Sequence, residues 1–449
     1  MSETTASSHL EASAAPTEEE MHSTLKKVSV SSFLGNFIEW FDYASYSYLA
    51  TVISLVFFET EDKTVAVMST FAVFALAFLV RPIGALFWGN MGDKKGRKWT
   101  LSVSILLMSG ATFLIGCLPG YAMIGVAAPL LLLVLRMVQS FSASGEYAGA
   151  ATFIAEYAPK DHRGFYCSLV PASTATGLLV GSLLATFMYS VWGADSSFMV
   201  NWGWRIPFWL ALPLGLITHY IRTHLEDSPV YEVMQAQLKE RDDEPQHPLS
   251  ELFKNHLRVL IISFGACMLN AVGFYAVLTY LPNYLETTLG YDASSASLIT
   301  TITLVAYIFM IFISGRVSDR FGRKKMLIAA CVGFIVFTVP AFMLLGTLNF
   351  GVILVVELVM CFILTINDGT LSSYLTETFP TNVRYSGFAF SFNLANALFG
   401  GSASYISFWL IDVTGNEIAP AWYMIVIAVI ALVAMLLSHE HTGKDLTEI

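Results

Sequence analysis

Charged residues are scarce in this chain. Only 13% of its 449 residues are Asp, Glu, Lys or Arg, whereas 55% are hydrophobic and the mean hydropathy is +0.62. Soluble domains average about 25% charged residues. A chain this long with so little charge cannot cover its surface with polar groups, so the composition predicts an integral membrane protein.

Sequence motifs for metal, nucleotide or nucleophilic chemistry are missing as well. The five cysteines stand singly, and no CxxC pair occurs. The chain has no GxSxG elbow and no phosphate-binding P-loop, and its nine histidines lie in the tail, the linker, loops and helix ends. We therefore expect no enzymatic activity, no catalytic residue, no metal site and no cofactor.

Long apolar runs are abundant instead. A membrane-spanning helix needs about 20 apolar residues. Runs of that order lie near 29–58, 65–91, 99–118, 123–154, 165–191, 205–222, 257–285, 295–316, 325–346, 350–374, 385–412 and 419–438. They predict an all-α membrane protein with twelve transmembrane helices in two sets of six. The predicted segments are a disordered tail (1–27), a first half (28–222), a linker (223–256), a second half (257–438) and a tail (439–449).

Lys and Arg residues orient these helices. They concentrate in alternate loops, beginning with Lys26 and Lys27, whereas the opposite loops carry only Lys63 and, at a helix start, Arg205. Basic residues are enriched in cytoplasmic loops. The pattern therefore predicts that both termini and the linker are cytoplasmic.

Two sequence patterns occur once in each half. "GNMGDKKGRK" (89–98) and "GRVSDRFGRK" (315–324) share G-x-x-x-D-x-x-G-R-K, and "EYAPKDHR" (156–163) and "ETFPTNVR" (377–384) share Glu, Pro and Arg at the same spacing. Their separations, 226 and 221 residues, are nearly equal, which predicts two structural repeats. Paired six-helix halves with a substrate between them are a transporter architecture.

We interpret the repeated loops as a cytoplasmic gate that favours the outward-facing state. Each Asp can pair with the Arg of its own loop or with the N-terminus of a neighbouring helix. The glutamates extend the gate, Glu156 with Arg163 and Glu377 with Arg384. Predicted gate residues are Gly89, Asp93, Gly96, Arg97, Glu156, Arg163, Gly315, Asp319, Gly322, Arg323, Glu377 and Arg384. The alternative is a set of solvated loops that merely follow the charge bias.

Acidic residues inside the apolar runs are the candidates for proton coupling. A charge near the bilayer centre costs at least ~2.5 kcal/mol, so it needs a partner or a use. Glu39 and Asp42 share one helix face, and Asp42 lies near the midplane. We predict Asp42, Glu39 and Glu146 as proton-coupling residues, with Arg136 sensing the charge of Asp42. The alternative is a structural ion pair between the first and fourth helices.

The balance of embedded charge bears on the substrate. Acids outnumber the embedded bases Arg81 and Arg136, and the second half has no clearly intramembrane Lys, Arg or His. A di- or tricarboxylate needs two or more cations. A zwitterion needs one cation, and aromatic rings can hold its onium group, although such rings also serve as lipid-facing belts. Predicted substrate-binding residues are Arg136, Tyr43, Tyr46, Gln139, Asn270, Tyr275 and Asn396.

The G-x-x-x-D-x-x-G-R-K loops resemble the signature of the major facilitator superfamily. "GNFIEWFDY", "RMVQSFSASGEYAGA", "WGWRIPFWLALPLG" and "HLEDSPV" resemble its metabolite:proton symporter branch, over nearly the whole chain. "LTYLPNYL" and "APAWYM" look most like proline/betaine osmoprotectant transporters, whereas "NALFGGSA" also resembles 2-oxoglutarate permeases. The resemblance implies the major facilitator fold in a bacterial plasma membrane.

These observations together predict uptake of a small zwitterionic osmolyte, such as proline or glycine betaine, by proton symport and alternating access. The fifth helix, "SLVPASTATGLLVGSLLA", lacks the G-P-x-x-G-G pattern of drug antiporters, which favours symport. The alternative is proton symport of an organic acid such as 2-oxoglutarate, citrate or shikimate. The expected partners are the substrate, the proton and the lipid bilayer, without nucleic acid or an obligatory protein partner; a proton gradient supplies the energy.

Overall fold

The computed structural model describes residues 18–59, 63–193, 196–241 and 247–448, and these described residues contain helices but no strand. The first half contains α1 (Glu18–Tyr48, continued by Ala50–Phe57), α2 (Lys63–Phe78 and Arg81–Lys95), α3 (Arg97–Cys117), α4 (Ala127–Ala143 and Glu146–Tyr157), α5 (Arg163–Cys167 and Leu169–Trp192) and α6 (Met199–Gly203 and Arg205–Thr223). The short helix Tyr121–Ile124 precedes α4.

The second half repeats this count of helices. It contains α7 (Leu257–Tyr275, Ala276–Tyr280 and Leu281–Thr287), α8 (Ala293–Phe321), α9 (Arg323–Leu345), α10 (Phe350–Thr378), α11 (Arg384–Ala395, Asn396–Gly400 and Ala403–Thr414) and α12 (Ala419–Leu437). Two linker helices, Pro229–Arg241 and Pro248–Asn255, lie between the halves. The all-α architecture with twelve transmembrane helices is therefore the one that the hydropathy pattern predicts.

Ten of the helices in the described ranges are long and apolar enough to cross a bilayer by length and composition alone. The remaining two, α1 and α6, complete the sets of six. Large apolar side chains such as Met68, Phe309 and Tyr405 are 66%, 68% and 73% exposed. Such exposure on apolar helices fits contact with lipid. The chain is a multi-pass membrane protein.

The beginning of α1 differs from the prediction. The helix begins at Glu18, so residues 18–27, predicted as part of a disordered tail, are helical. Residues 1–17 of that predicted tail lie outside the described residues. Leu25 and Val28 are 6% and 0% exposed and lie three positions apart on one helix face. Burial of this face stabilises the additional turns, which polar composition alone did not predict.

Close packing fixes α1 against α5. A Cβ atom at Gly177 would lie 2.8 Å from the carbonyl oxygen of Phe37, and one at Gly181 would lie 2.5 Å from Cβ of Ala44. The Nδ2 of Asn36 adds a hydrogen bond of 2.9 Å to the carbonyl of Val170. Small residues four apart allow helix backbones to approach closely in membranes. The glycine pair thus positions the helix that carries Glu39 and Asp42.

We expect Gly181→Leu to destabilise the protein, because its side chain would overlap α1. Overpacking a tight core typically costs about 1–3 kcal/mol. The matched control is Gly110→Leu, because a Cβ at Gly110 meets nothing within 4 Å. Thermal unfolding of both purified variants in detergent measures the effect. An equal midpoint for G181L and G110L would contradict the account of the α1–α5 contact.

Candidate functional site

The ends of the two halves that carry the repeated loops meet in a set of buried ion pairs. The carboxylate of Asp93 on α2 accepts hydrogen bonds from the backbone N–H of Tyr385 at 3.1 Å and of Ser386 at 2.9 Å. The hydroxyl of Ser386 donates a third bond, at 2.7 Å. These N–H groups belong to the first turn of α11, where the helix dipole favours negative charge. An acid of the first half therefore caps a helix of the second half.

The second half makes the equivalent contact with a helix of the first half. Asp319 on α8 accepts hydrogen bonds from the backbone N–H of Gly164 at 2.7 Å and of Phe165 at 3.0 Å, in the first turn of α5. The glycines of the repeated motif allow this approach. A Cβ atom at Gly89 would lie 2.6 Å from Cα of Ser386, and one at Gly315 would lie 2.7 Å from the carbonyl oxygen of Gly164.

Arginines and glutamates connect the two capping contacts. Arg97 lies 3.1 Å from Glu156 and 3.3 Å from Asp93, and Glu156 lies 2.9 Å from Arg384 of the other half. In the symmetric position, Arg323 pairs with Asp319 at 2.8 Å and with Glu377 at 3.1 Å. Glu377 also pairs with Arg163 of the first half, at 2.9 Å.

These pairs correct the expected pairing of the glutamates. Glu156 was expected with Arg163 and Glu377 with Arg384, each within one half. The structure exchanges the partners, because the two loops face one another across the interface. The Glu156–Arg384 and Glu377–Arg163 pairs therefore join the halves, while each glutamate also keeps an arginine of its own half.

Gly96 and Gly322 make the sharp turns at which α3 and α9 begin. Their φ angles are +95° and +96°, a region that favours glycine. Behind each turn an acid caps the following helix. Asp227 accepts from the N–H of Arg97 at 3.0 Å, and Glu440 accepts from the N–H of Lys324 at 3.0 Å. Burial raises the pKa of Asp227, although the N–H of Ser228 and the charge of Arg97 oppose this shift.

The sequence comparison of the halves missed these two caps, since Asp227 and Glu440 share no surrounding motif. They follow α6 and α12 respectively, the last helix of each half. A search for acids just after the sixth helix of each repeat would have found them.

The C-terminal tail packs against the gate. The carbonyl oxygen of Leu446 accepts from Nη2 of Arg384 at 3.0 Å and from the hydroxyl of Thr381 at 3.0 Å. His441 Nδ1 lies 2.8 Å from the carbonyl of Glu377, and Nη1 of Arg163 donates to the carbonyl of Lys444 at 3.4 Å. The tail thus packs on the same end of the molecule as the crossed ion pairs.

Asp42 and Arg136 form a buried ion pair between α1 and α4. Nη1 of Arg136 donates to Oδ2 of Asp42 and to Oε1 of Gln139, each at 2.7 Å. Gln139 in turn donates to the hydroxyl of Thr112 at 2.6 Å. The guanidinium lies 3.7 Å from the ring centroid of Tyr46. The structure thus brings Asp42, Arg136, Gln139 and Tyr46 together.

Glu39, which lies about one helical turn before Asp42 on α1, pairs with Arg81 of α2. The same guanidinium lies 5.6 Å from the ring of Tyr43 and 5.0 Å from that of Phe78. Tyr43 and Tyr46 therefore each present a ring to an arginine of this chain. Their predicted role in holding the onium group of a substrate stays a prediction.

Aromatic rings of both halves nevertheless meet beside this pair. The rings of Trp40 and Phe274 lie 5.3 Å apart, and those of Phe274 and Tyr275 lie 5.6 Å apart. Tyr275 packs on Gly400 of α11, where a Cβ atom would lie 2.8 Å from the ring, and Asn396 lies beside the same glycine. Tyr275 and Asn396, predicted as substrate contacts, therefore lie together.

Glu146 has a partner that the sequence did not suggest. Nη1 of Arg222 donates to its Oε2 at 3.0 Å, and further N–H groups of Arg222 bond the carbonyls of Leu101 (2.8 Å) and Ser31 (3.1 Å). Arg222 lies at the end of α6, where an arginine is expected to belong to a solvated loop, yet it is 0% exposed. Glu146 thus has a structural environment that connects four helices of the first half.

The second half contains a different polar cluster. Asp368 of α10 accepts hydrogen bonds from Asn270 of α7 and from the hydroxyl of Tyr307 of α8. Asn270 therefore lies within one half, bound to Asp368. No group of three or more possible metal ligands occurs among the described residues.

Comparison with known proteins agrees with this architecture. The family described as Major Facilitator Superfamily matches residues 33–405 and 263–444. The proline/betaine transporter of Salmonella typhimurium is 36% identical over 427 residues, which cover 94% of this chain and 85% of that protein. The glycine betaine/proline/ectoine/pipecolic acid transporter OusA of Dickeya dadantii is 37% identical over the same shares of both chains.

Solved structures share the fold. The proton:xylose symporter XylE bound to 6-bromo-6-deoxy-D-glucose has a TM-score of 0.76 at 19% identity, covering 95% of this chain and 98% of that chain. A partially occluded inward open conformation of the xylose transporter XylE from E. coli has a TM-score of 0.65 at 17% identity, covering 94% and 100%. The relatives are transporters rather than enzymes, and this chain belongs to the Major Facilitator Superfamily.

Proposed function

We propose that this protein imports a small zwitterionic osmolyte, such as proline or glycine betaine, by proton symport and alternating access. It would act in the bacterial plasma membrane, with both termini in the cytoplasm. The observation that carries the choice of substrate is the similarity, over 94% of the chain, to transporters named for proline and betaine.

The surroundings of Arg136 support recognition of a single carboxylate. Its Nη1 is engaged by Asp42 and Gln139, whereas its Nε and Nη2 have no hydrogen-bond partner among the described residues. A guanidinium binds a carboxylate through two parallel N–H groups. Arg136 thus has two donors to offer one substrate carboxylate. The rings of Trp40 on α1 and Phe274 on α7, 5.3 Å apart, are the candidates for the onium group.

Proton coupling follows from competition for Arg136. While Asp42 is ionised, it neutralises the guanidinium, so a substrate carboxylate at the free Nε and Nη2 donors would add an uncompensated negative charge. A proton on Asp42 removes the charge of Asp42 itself, so Arg136 becomes available to the substrate carboxylate. Release of the proton restores the pair and displaces the substrate. Proton and substrate would then be bound together and released together, as symport requires.

The gate supplies the alternation. In the present conformation each half caps a helix of the other at the cytoplasmic end, so this end is closed. Inward opening must break both caps and both crossed Glu–Arg pairs. Buried charged pairs are costly to separate individually. Arg97 and Arg323 each connect a capping aspartate to the glutamate of a crossed pair, so these contacts are expected to break together.

The substrate assignment is tested by uptake into proteoliposomes containing the purified chain. We expect labelled proline or glycine betaine to accumulate when the outside is acidic, and to equilibrate without accumulation when the pH gradient is collapsed. Labelled 2-oxoglutarate, citrate and shikimate serve as the organic-acid arm. Accumulation confined to that arm would overturn the choice of a zwitterion, and uptake unaffected by the gradient would overturn proton coupling.

Asp42→Asn should abolish or uncouple proton-driven accumulation, because the side chain can no longer take up and release a proton. The comparison variant is Asp412→Asn, which neutralises an exposed acid near the C-terminal end of α11. Both variants are assayed at several external pH values at matched protein content. A normal pH-dependent accumulation by D42N would rule out Asp42 as the proton carrier.

Asp93→Asn combined with Asp319→Asn should shift the protein toward an inward-open state. Each substitution replaces charge-assisted hydrogen bonds with neutral ones, a loss of about 1–3 kcal/mol. Spin labels are placed on the exposed positions Lys160 and Arg320, one on each half. Double electron–electron resonance then measures the distance between the two halves at this end. We expect a longer-distance population in the double variant and none in D412N; identical distributions would refute the gate.

A further inference from the structure

Asp368 differs from the acids of the first half because no cation pairs with it among the described residues. Glu39, Asp42 and Glu146 each pair with an arginine. Asp368 is 1% exposed, and its two oxygens accept only neutral donors, the amide of Asn270 and the hydroxyl of Tyr307. Within the described ranges it has no ion-pair partner.

The groups around Asp368 come from several helices, and none of them is a cation. The titratable groups whose charge would act on it are Tyr307 on α8, Tyr147 on α4 and Cys361 on its own helix. Phenol and thiol groups are neutral at physiological pH when they are not activated. An ionised Asp368 would therefore leave a buried negative charge without compensation.

A buried carboxylate in this situation must bind a positive ion or become neutral. A metal cation such as Ca²⁺ or Mg²⁺ requires about six oxygen ligands. The hydrogen-bonding neighbours of Asp368 supply one hydroxyl and one amide, which fall well short of that number. A proton needs only one oxygen, so it is the ion that this environment fits.

We propose that Asp368 is a second proton-binding residue, protonated in this cytoplasm-closed conformation and deprotonated when the cytoplasmic ends of the halves part. The proposal rests on the proton coupling proposed above and assigns part of it to the second half. When protonated, one carboxyl oxygen donates to the hydroxyl of Tyr307, which can rotate and act as an acceptor.

A route for release lies one helical turn toward the cytoplasm. Ser372, four residues after Asp368 on α10, shares a 3.1 Å hydrogen bond with the hydroxyl of Tyr147 on α4 of the other half. The ring of Tyr147 is stacked on Phe392 of α11, with centroids 4.3 Å apart. Separation of the halves at this end breaks both contacts, so water can reach Asp368. The carboxyl O–H bond then breaks, and the proton passes to cytoplasmic water.

Glu357 provides a matched comparison on the same helix. It lies eleven residues nearer the outer end of α10, about 16 Å along the helix axis. It is 1% exposed, and its only hydrogen bond within the described residues is a long one, 3.4 Å, from the hydroxyl of Thr303. It lies away from the contact between the halves that would release a proton. Glu357→Gln therefore makes the same chemical change as Asp368→Asn without touching the proposed route.

The first test separates exchange from accumulation. Proteoliposomes containing the full chain, Asp368→Asn or Glu357→Gln are loaded with unlabelled proline or glycine betaine, and the entry of labelled substrate is measured with no pH gradient. Accumulation driven by an acidic exterior is measured in parallel. We expect D368N to keep exchange within about two-fold of wild type but to lose at least ten-fold in accumulation, whereas E357Q keeps both.

Other outcomes overturn the assignment. Equal losses of exchange and accumulation in D368N would indicate a structural role for Asp368. Equal loss of coupling in D368N and E357Q would indicate a general effect of removing a buried acid. If the wild-type protein accumulates substrate and D368N does the same, the inference fails while the proposed function stands. If the wild type shows no gradient-driven accumulation, the proposed symport itself fails.

Infrared spectroscopy tests protonation without reference to transport. The carbonyl stretch of a protonated carboxylic acid is distinct from the bands of a carboxylate, so pH-difference spectra report the titration of buried acids. We expect one carboxylic-acid band of the wild type to be absent from D368N and present in E357Q. Identical spectra for wild type and D368N would show that Asp368 is not protonated, even if the variant is impaired in transport.

Discussion

A charge placed inside a lipid bilayer must be neutralised, and the two halves of this protein meet that requirement differently. In the first half, arginines compensate the embedded acids: Arg81 with Glu39, Arg136 with Asp42, and Arg222 with Glu146. In the second half, neutral hydrogen bonds surround Asp368. The first arrangement allows a substrate to compete for a cation, whereas the second favours the uptake of a proton.

The same requirement applies to the repeated loops, where the two halves make equivalent contacts. Asp93 and Asp319 each neutralise the start of a helix in the opposite half. When the interface opens, each half can keep the Asp–Arg and Arg–Glu pairs within itself, but both caps and both crossed Glu–Arg pairs are lost. In the proposed transport cycle, closed and open states are therefore separated by a set of linked contacts rather than by a single bond.

The parts of this structure that depend on local pattern could be predicted from the sequence. Hydropathy gave the helix positions, and the repeated loops pointed to residues that connect the two halves. Identities of partners could not be obtained in this way, because they depend on how distant helices pack. Arg222 stands at the end of an apolar run, so nothing local distinguishes it from a loop arginine, yet α6 places it against Glu146. Likewise, nothing local to Tyr46 indicates that its ring lies against the guanidinium of Arg136.

The C-terminal tail contacts the predicted gate residues of both halves. Leu446 and His441 attach the tail to α10 and α11, while Lys444 reaches Arg163 of the other half. The tail therefore bridges the two halves from outside the membrane-spanning helices. Bulk or charge added to this segment would act on the contact between the halves without altering any residue inside the membrane.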